Sequence, residues 1–131
     1  MSAGADLDHA LAEIASGRIV VVSGDRLRGG DIDLMIAARH VTPEAINFMA
    51  THGRGLICLA ITQDRAIRLG LSLINPGAER QTGRPFARSI EASSGVSTGI
   101  SAADRARTVQ VASAEGANAD DIQSPGHVFP L

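Results

Sequence analysis

The sequence predicts an α/β domain in which helices alternate with short strands. Apolar residues recur at helical spacing in several segments, and short apolar or β-branched runs lie between those segments. The chain has 131 residues, 44% hydrophobic and 20% charged, as expected for one globular domain over residues 1–131. With three Phe and no Tyr or Trp, the core must consist mainly of aliphatic side chains.

The first part of the chain predicts a helix and two strands around a polar loop. Leu7, Leu11 and Ile14 share one helical face, and Gly17 ends the helix. The predicted elements are a helix at 6–16, a buried strand at 18–22, a loop at 23–33 and a strand at 34–41. The loop is rich in Gly, Asp and Arg, and functional groups are often found on loops.

Hydroxyl residues mark the starts of the later helices. Thr42 precedes Pro43, Thr62 precedes a short helix, and Ser101 forms a capping box with Asp104 in place of Glu. The remaining predicted elements are a helix that ends near Gly53 and Gly55, a strand at 56–61, a helix ending at Gly70, a weak strand at 86–92 and a helix from 101 to about 114 with Gly116 as its C-cap. An apolar tail follows, and its Val128, Phe129 and Leu131 need a surface to pack on.

The charge balance excludes several classes of function. Net charge is −2, and all twelve basic residues are Arg. Without Lys, Schiff-base and P-loop chemistry are excluded, and the negative charge argues against sequence-independent DNA binding. A small anionic ligand remains possible, because Arg pairs well with phosphate oxygens.

Cysteine usage and the N-terminus indicate a cytoplasmic protein. Cys58 is the only cysteine, so an intrachain disulfide and a Cys-based zinc site are excluded. The first twelve residues lack a basic-then-apolar signal pattern, and no apolar run approaches the ~20 residues that span a bilayer.

Four segments, in order and at similar spacing, resemble the 3,4-dihydroxy-2-butanone 4-phosphate synthases of riboflavin biosynthesis. They are residues 41–49 (VTPEAINFM), 54–58 (RGLIC), 98–105 (TGISAADR) and 125–131 (PGHVFPL). The resemblance implies an α/β (α+β) fold with a mixed sheet flanked by helices, and a homodimer. It covers the N-terminal part of the family domain, which continues with an Arg-x-Gly-His-Thr-Glu motif whose His binds metal.

The resemblance also implies a reaction. The family converts ribulose 5-phosphate into 3,4-dihydroxy-2-butanone 4-phosphate and formate, with Mg²⁺ (or Mn²⁺) as cofactor. Oxygen ligands suit such a hard cation, carboxylates move protons during enolisation, and Arg holds the phosphate.

The acidic loop departs from the family motif Arg-Glu-Asn-Glu-Gly-Asp-Leu. Aligned on Asp33, the chain keeps Arg28 and has Asp31 at the second Glu, Gly29 at the first Glu and Ile32 at the Gly. The first Glu is a family metal ligand, which Gly29 cannot replace. Two aspartates of the same loop, Asp31 and Asp25, are the candidate metal ligands.

The resemblance assigns candidate roles to six residues, each with a structural alternative. The catalytic candidates are Asp31, Cys58 and His127, and the substrate-binding candidates are Arg28, Asp33 and Thr98. The alternatives are solvated loop charges for Arg28 and Asp31, a turn residue for Asp33, a core residue for Cys58, a loop hydroxyl for Thr98 and a structural role for His127.

Two functions are supported by particular residues, and a third, a related enzyme with changed chemistry such as an isomerase on a similar phosphate, is selected by none. The first is that of a 3,4-dihydroxy-2-butanone 4-phosphate synthase-like lyase. The second is that of a non-catalytic relative that binds a sugar phosphate or serves as a partner or regulatory chain; Gly29 and Ile32 favour it. For either function the apolar C-terminal residues predict a homodimer or a partner chain that covers them.

Overall fold

A computed structural model describes residues 3–25, 30–76 and 85–131. In these ranges the helices are α1 (Ala3–Ala15), α2 (Pro43–Phe48), α3 (Gln63–Arg68) and α4 (Ala102–Ser113). The strands are β1 (Val20–Asp25), β2 (Asp31–Met35), β3 (Cys58–Leu59), β4 (Ile90–Ala92) and β5 (Ile122–Pro130). Short 3₁₀ turns lie at Ala38–His40 and Ala119–Asp121, and a π-helical turn lies at Met49–Gly53. None of the described helices is long and apolar enough to cross a bilayer.

The described strands form two sheets. β1 and β2 make an antiparallel hairpin, while β3, β5 and β4 form a second sheet with β5 in the middle. β5 runs parallel to β3 and antiparallel to β4, so this sheet is mixed. The predicted α/β class with a mixed sheet is thereby confirmed.

The apolar tail is the central strand of the larger sheet. The sequence did not predict a strand here, because the residues that pair with this segment lie 30 or more positions away in the chain. The Phe129 amide donates to the Ile57 carbonyl, and the Pro130 carbonyl accepts from Ala87. Val128 is buried within the chain itself, whereas Phe129 and Leu131 are half-buried.

Helix α4 covers one face of this sheet and builds the core with it. Its Ala106, Val109 and Ala112 are buried together with Ile90 of β4 and Val128 of β5. The fully buried Thr108 joins the two layers: its hydroxyl donates to the Asp104 carbonyl and accepts from the Ala92 amide, each at 3.0 Å. The small side chains of α4 let the helix lie close to the strands.

The starts of α2, α3 and α4 follow the sequence prediction, whereas α1 begins at Ala3, three residues before its predicted start. The hydroxyls of Thr42, Thr62 and Ser101 each accept a backbone N–H in the first turn of α2, α3 and α4. Some helix ends differ. Arg54, at φ 56°, takes the left-handed position after the π-helical turn, and α4 ends at Ser113, before the predicted C-cap Gly116.

The hairpin corrects the predicted boundaries at residues 18–41. β2 begins at Asp31, inside the predicted loop, and residues 38–40 form a 3₁₀ turn instead of the end of a strand. The predicted burial of the β-branched run is wrong for Val21, which is 66% exposed, and Ile32 of β2 is 72% exposed. A separate two-stranded ribbon has too few neighbours to cover both of its faces.

Gly126 permits the close passage of β5 along β4. A Cβ at this position would overlap the Ile90 carbonyl oxygen, which belongs to the backbone and cannot move aside alone. We therefore expect G126A to lower the free energy of unfolding by at least about 2 kcal/mol. Urea denaturation measures the change. G116A is the control, because nothing lies within 4 Å of its new Cβ; equal effects of the two variants would contradict this account.

The buried Thr108 hydroxyl offers a second test of the α4–β4 contact. T108V keeps the volume but leaves the Ala92 amide without its acceptor, so we expect a loss of about 1–3 kcal/mol in unfolding free energy. S113A removes a half-buried hydroxyl of the same helix, at the long distance of 3.4 Å from the Gln110 carbonyl, and should change stability by less than about 0.5 kcal/mol. A T108V protein as stable as wild type would show that this bond is dispensable.

Candidate active site

One face of the β3–β5–β4 sheet carries two of the predicted catalytic residues. Ile90 and Val128 are paired in register and buried on the α4 side. Side chains alternate along a strand, so His127 lies on the opposite face. Cys58 pairs in register with Phe129, two residues from His127 on β5, and therefore shares that face. The structure thus brings Cys58 and His127 to one surface of the sheet.

Glu91 of β4 meets His127 on this face. The Oε1 atom of Glu91 lies 2.5 Å from Nδ1 of His127. The glutamate side chain is only 12% exposed, whereas the histidine is 41% exposed. The carboxylate is therefore largely withdrawn from water, while the imidazole stays accessible to a ligand.

Two glycines make room for the Glu91 side chain. Gly99 has φ +83°, and a Cβ there would overlap the Glu91 carboxylate. A Cβ at Gly126 would lie 2.5 Å from Cγ of Glu91. Glu91 thus lies between β5 and the loop that contains Thr98, and it connects the surroundings of Thr98 with His127.

Asp104 orders the loop on both sides of Thr98. Its Oδ2 accepts hydrogen bonds from the Gly99 amide at 2.9 Å, the Ser97 hydroxyl at 3.0 Å and the Ser97 amide at 3.2 Å. Burial raises the pKa of Asp104, but these hydrogen bonds outweigh it and hold the pKa below its ordinary value. The carboxylate is thus a fixed anionic anchor for the loop.

The hairpin carries the remaining described candidates. In the β1–β2 register Asp33 lies opposite Val22, and Asp31 lies opposite Asp25 after a bulge. The hairpin forms its own sheet and contacts α1 and the π-helical turn. The strand pairing therefore does not link Asp31 and Asp33 to Cys58 and His127. Arg28 and Gly29 lie outside the described residues.

Metal ligands are few within the described ranges. No group of three or more His, Cys, Asp or Glu side chains there could hold an ion. The register places the backbones of Asp25 and Asp31 opposite each other, which gives two oxygen-bearing residues at one point of the hairpin. Mg²⁺ often takes only one or two protein carboxylates and completes its shell with water or substrate oxygens.

Comparison with known families shows a match over most of the chain. The family model for 3,4-dihydroxy-2-butanone 4-phosphate synthase matches residues 8–131. A 3,4-dihydroxy-2-butanone 4-phosphate synthase of Photobacterium phosphoreum is 51% identical over 121 residues, covering 92% of this chain and 33% of that protein.

The chain belongs to the 3,4-dihydroxy-2-butanone 4-phosphate synthase family. It spans about a third of the length of the similar curated relatives.

Solved structures of synthases show the same fold. A two-domain synthase from A. baumannii superimposes with a TM-score of 0.86 at 43% identity, covering 95% of this chain and 37% of that one. A synthase in complex with two magnesium ions gives a TM-score of 0.85 at 36% identity, covering 100% of this chain and 60% of that one. Divalent metal binding therefore occurs within the synthase family.

Sequence reasoning did not single out Glu91, and it assigned Asp104 only a capping role. The signal for Glu91 was its position between Ile90 and Ala92, an acid within an apolar segment predicted as a weak strand. The signal for Asp104 was a short acid five to seven residues after loop amides that need an acceptor. The hydrogen-bond partners of Glu91 and Asp104 cannot be identified from sequence spacing alone.

The lowered pKa of Asp104 predicts a pH-dependent contribution to stability. A carboxyl whose pKa is lower in the folded than in the unfolded state stabilises the fold above its unfolded pKa, about 4, and loses this effect as pH falls further. We expect D104N to be less stable than wild type at pH 7, with the difference shrinking below about pH 4. Urea denaturation at several pH values measures it. D8N, at an exposed position of α1, is the control; a D104N deficit that is constant with pH would contradict the role of the charge.

Proposed function

We propose that this chain provides a 3,4-dihydroxy-2-butanone 4-phosphate synthase site that acts on ribulose 5-phosphate and releases formate. The observation that carries the proposal is the shared sheet face of Cys58 and His127, next to the ordered loop that contains Thr98. Family membership supports the substrate class.

His127 is the proposed proton-transfer group of this face. One ring nitrogen is held by Glu91 while the side chain stays 41% exposed, so the ring is both oriented and accessible. Enolisation of a ketose requires removal of a proton next to the carbonyl, a step suited to an imidazole near neutral pH. Cys58 and Asp31 are the other proposed catalytic residues.

Arg28, Asp33 and Thr98 are the proposed substrate contacts. A guanidinium binds phosphate oxygens with two parallel hydrogen bonds, which suits Arg28 to the phosphate end of the sugar. Carboxylate and hydroxyl oxygens suit Asp33 and Thr98 to the sugar hydroxyls.

Magnesium or manganese is the proposed cofactor, with Asp31 and Asp25 as its ligands on the hairpin. Their opposing backbone positions support this assignment. Held there, the ion would supply electrostatic stabilisation for negative charge on an enolised sugar. The resemblance of the sequence to the synthase family supports a homodimer or a partner chain as the functional assembly, in the cytoplasm.

A second function, sugar-phosphate binding without turnover, is favoured by one observation. Gly29 stands where the family motif has a metal-binding Glu, and glycine has no side chain to bind an ion. Such a relative would keep the ligand contacts and the fold.

One NMR experiment distinguishes the two functions. The purified protein is mixed with ribulose 5-phosphate and Mg²⁺, and the sugar and formate signals are followed. Synthase activity predicts formate that disappears with EDTA. Line-broadening of the sugar signals without formate indicates the binding relative. If neither line-broadening nor formate is observed, both functions are contradicted.

The role of His127 has its own test in the same assay. H127N removes the proposed proton-transfer group, so we expect formate release to fall about 100-fold or more. H52N is the matched control, since His52 lies beside Phe48, with ring centroids 4.6 Å apart, on the π-helical turn. Equal rates for H127N and wild type would exclude His127 as the proton-transfer group.

A further inference from the structure

We propose that His40 is a positioning residue that ties the β1–β2 hairpin to the helical layer of the domain. Its ring holds the end of α1, which leads into β1, against the 3₁₀ turn that follows β2. The hairpin carries Asp31 and Asp33, so this bond fixes where their carboxylates lie relative to the larger sheet. The effect on catalysis rests on the proposed function, whereas the docking of the hairpin does not.

The His40 ring bonds to the last residue of α1. Its Nε2 lies 3.0 Å from the carbonyl oxygen of Ala15. The Nε of Arg39 lies 3.4 Å from the same ring nitrogen. A carbonyl can only accept and a guanidinium can only donate, so Nε2 can bond to one of these groups at a time. The shorter contact is the one with Ala15, and Nε2 therefore donates its proton to that carbonyl.

The end of α1 is shaped to receive this ring. Gly17 has φ +87°, a conformation that ends the helix, and a Cβ there would lie 3.1 Å from Cγ of His40. The last carbonyls of a helix have no partner within the helix, so a donor from another element can satisfy one of them. His40 is half-buried, which reduces competition by water for this bond. The ring thus packs on Gly17 and caps the helix in one arrangement.

The other side of the bond is anchored in the core. His40 is the last residue of the 3₁₀ turn, which contacts α4. The next residue, Val41, is buried, and its carbonyl accepts from the Gln110 side chain of α4 at 2.9 Å. The bond to Ala15 therefore joins the start of the hairpin to a part of the chain that α4 already holds.

A second contact holds β2, but the hairpin has little other support. A Cβ at Gly53, in the π-helical turn, would lie 3.2 Å from a δ-carbon of Leu34, so this side chain packs on the backbone of the turn. Val21 and Ile32 are largely exposed and add little to the docking. Because the apolar contacts are few, one hydrogen bond at the base is a large share of what holds the hairpin in place.

Two amide variants separate the bond from the presence of a polar side chain. The amide nitrogen of glutamine has nearly the same reach as Nε2 of histidine, so H40Q can still donate to Ala15. Asparagine is one methylene shorter, so H40N is polar but cannot make the bond. H9N, at an exposed position of α1, is the control for the loss of an imidazole.

Amide hydrogen exchange followed by NMR tests the docking without an activity assay. In H40N we expect the amides of α1, β1 and β2 to exchange about fivefold faster than in wild type, because one net hydrogen bond is lost. The amides of α4 should keep their wild-type rates, and H40Q and H9N should match wild type throughout. Unchanged hairpin rates in H40N, an equal rise in α4, or an H40Q protein that behaves like H40N would overturn the inference.

Kinetics of the same variants test the consequence for the site. With ribulose 5-phosphate and Mg²⁺, H40N should lower kcat/KM about tenfold or more, because Asp31 and Asp33 are displaced from the substrate. H40Q should stay within about twofold of wild type. An unchanged kcat/KM in H40N would overturn the catalytic part. Absence of turnover in wild type would count against the proposed function alone, since the exchange rates decide the docking independently.

Discussion

The backbone of β5 passes β4 so closely at Gly126 that no side chain fits between them. This approach sets the level at which His127 meets Glu91, and it leaves Val128 in register with Ile90 on the core side. The two faces of this sheet therefore have different roles. One face is packed by the small side chains of α4, and the other carries polar groups that a ligand can reach. A shift of β5 by one residue would exchange the two faces.

The candidate functional residues lie on two parts of the structure that differ in how firmly they are packed. Cys58 and His127 belong to a sheet that is backed by a helix and contains the buried core. Asp31 and Asp33 belong to a two-stranded hairpin with large exposed side chains. Packed sheets hold side chains within narrow limits, whereas a two-stranded hairpin with few packing neighbours constrains its side chains less. The hairpin therefore holds Asp31 and Asp33 less firmly than the larger sheet holds Cys58 and His127.

The features that the sequence predicts well are local. Thr42, Thr62 and Ser101 cap helices through bonds three residues away, so spacing alone identifies them. Features that depend on distant pairing were not predicted in structural detail: β5 as a central strand, the exposed faces of the hairpin, and the contact of Glu91 with His127. Family resemblance supplied His127 and Cys58 as candidates, but only the strand register shows that they share a face.

The order of the strands in the larger sheet has a consequence for biosynthesis. β3 and β4 leave the ribosome before β5, yet in the sheet each of them pairs with β5 and not with the other. Until residues 122–130 emerge, the nascent chain exposes two strand edges without their partner. Unpaired edges of this kind attract other chains. Slow translation through this region would therefore lengthen the period in which the nascent protein depends on chaperones to prevent aggregation.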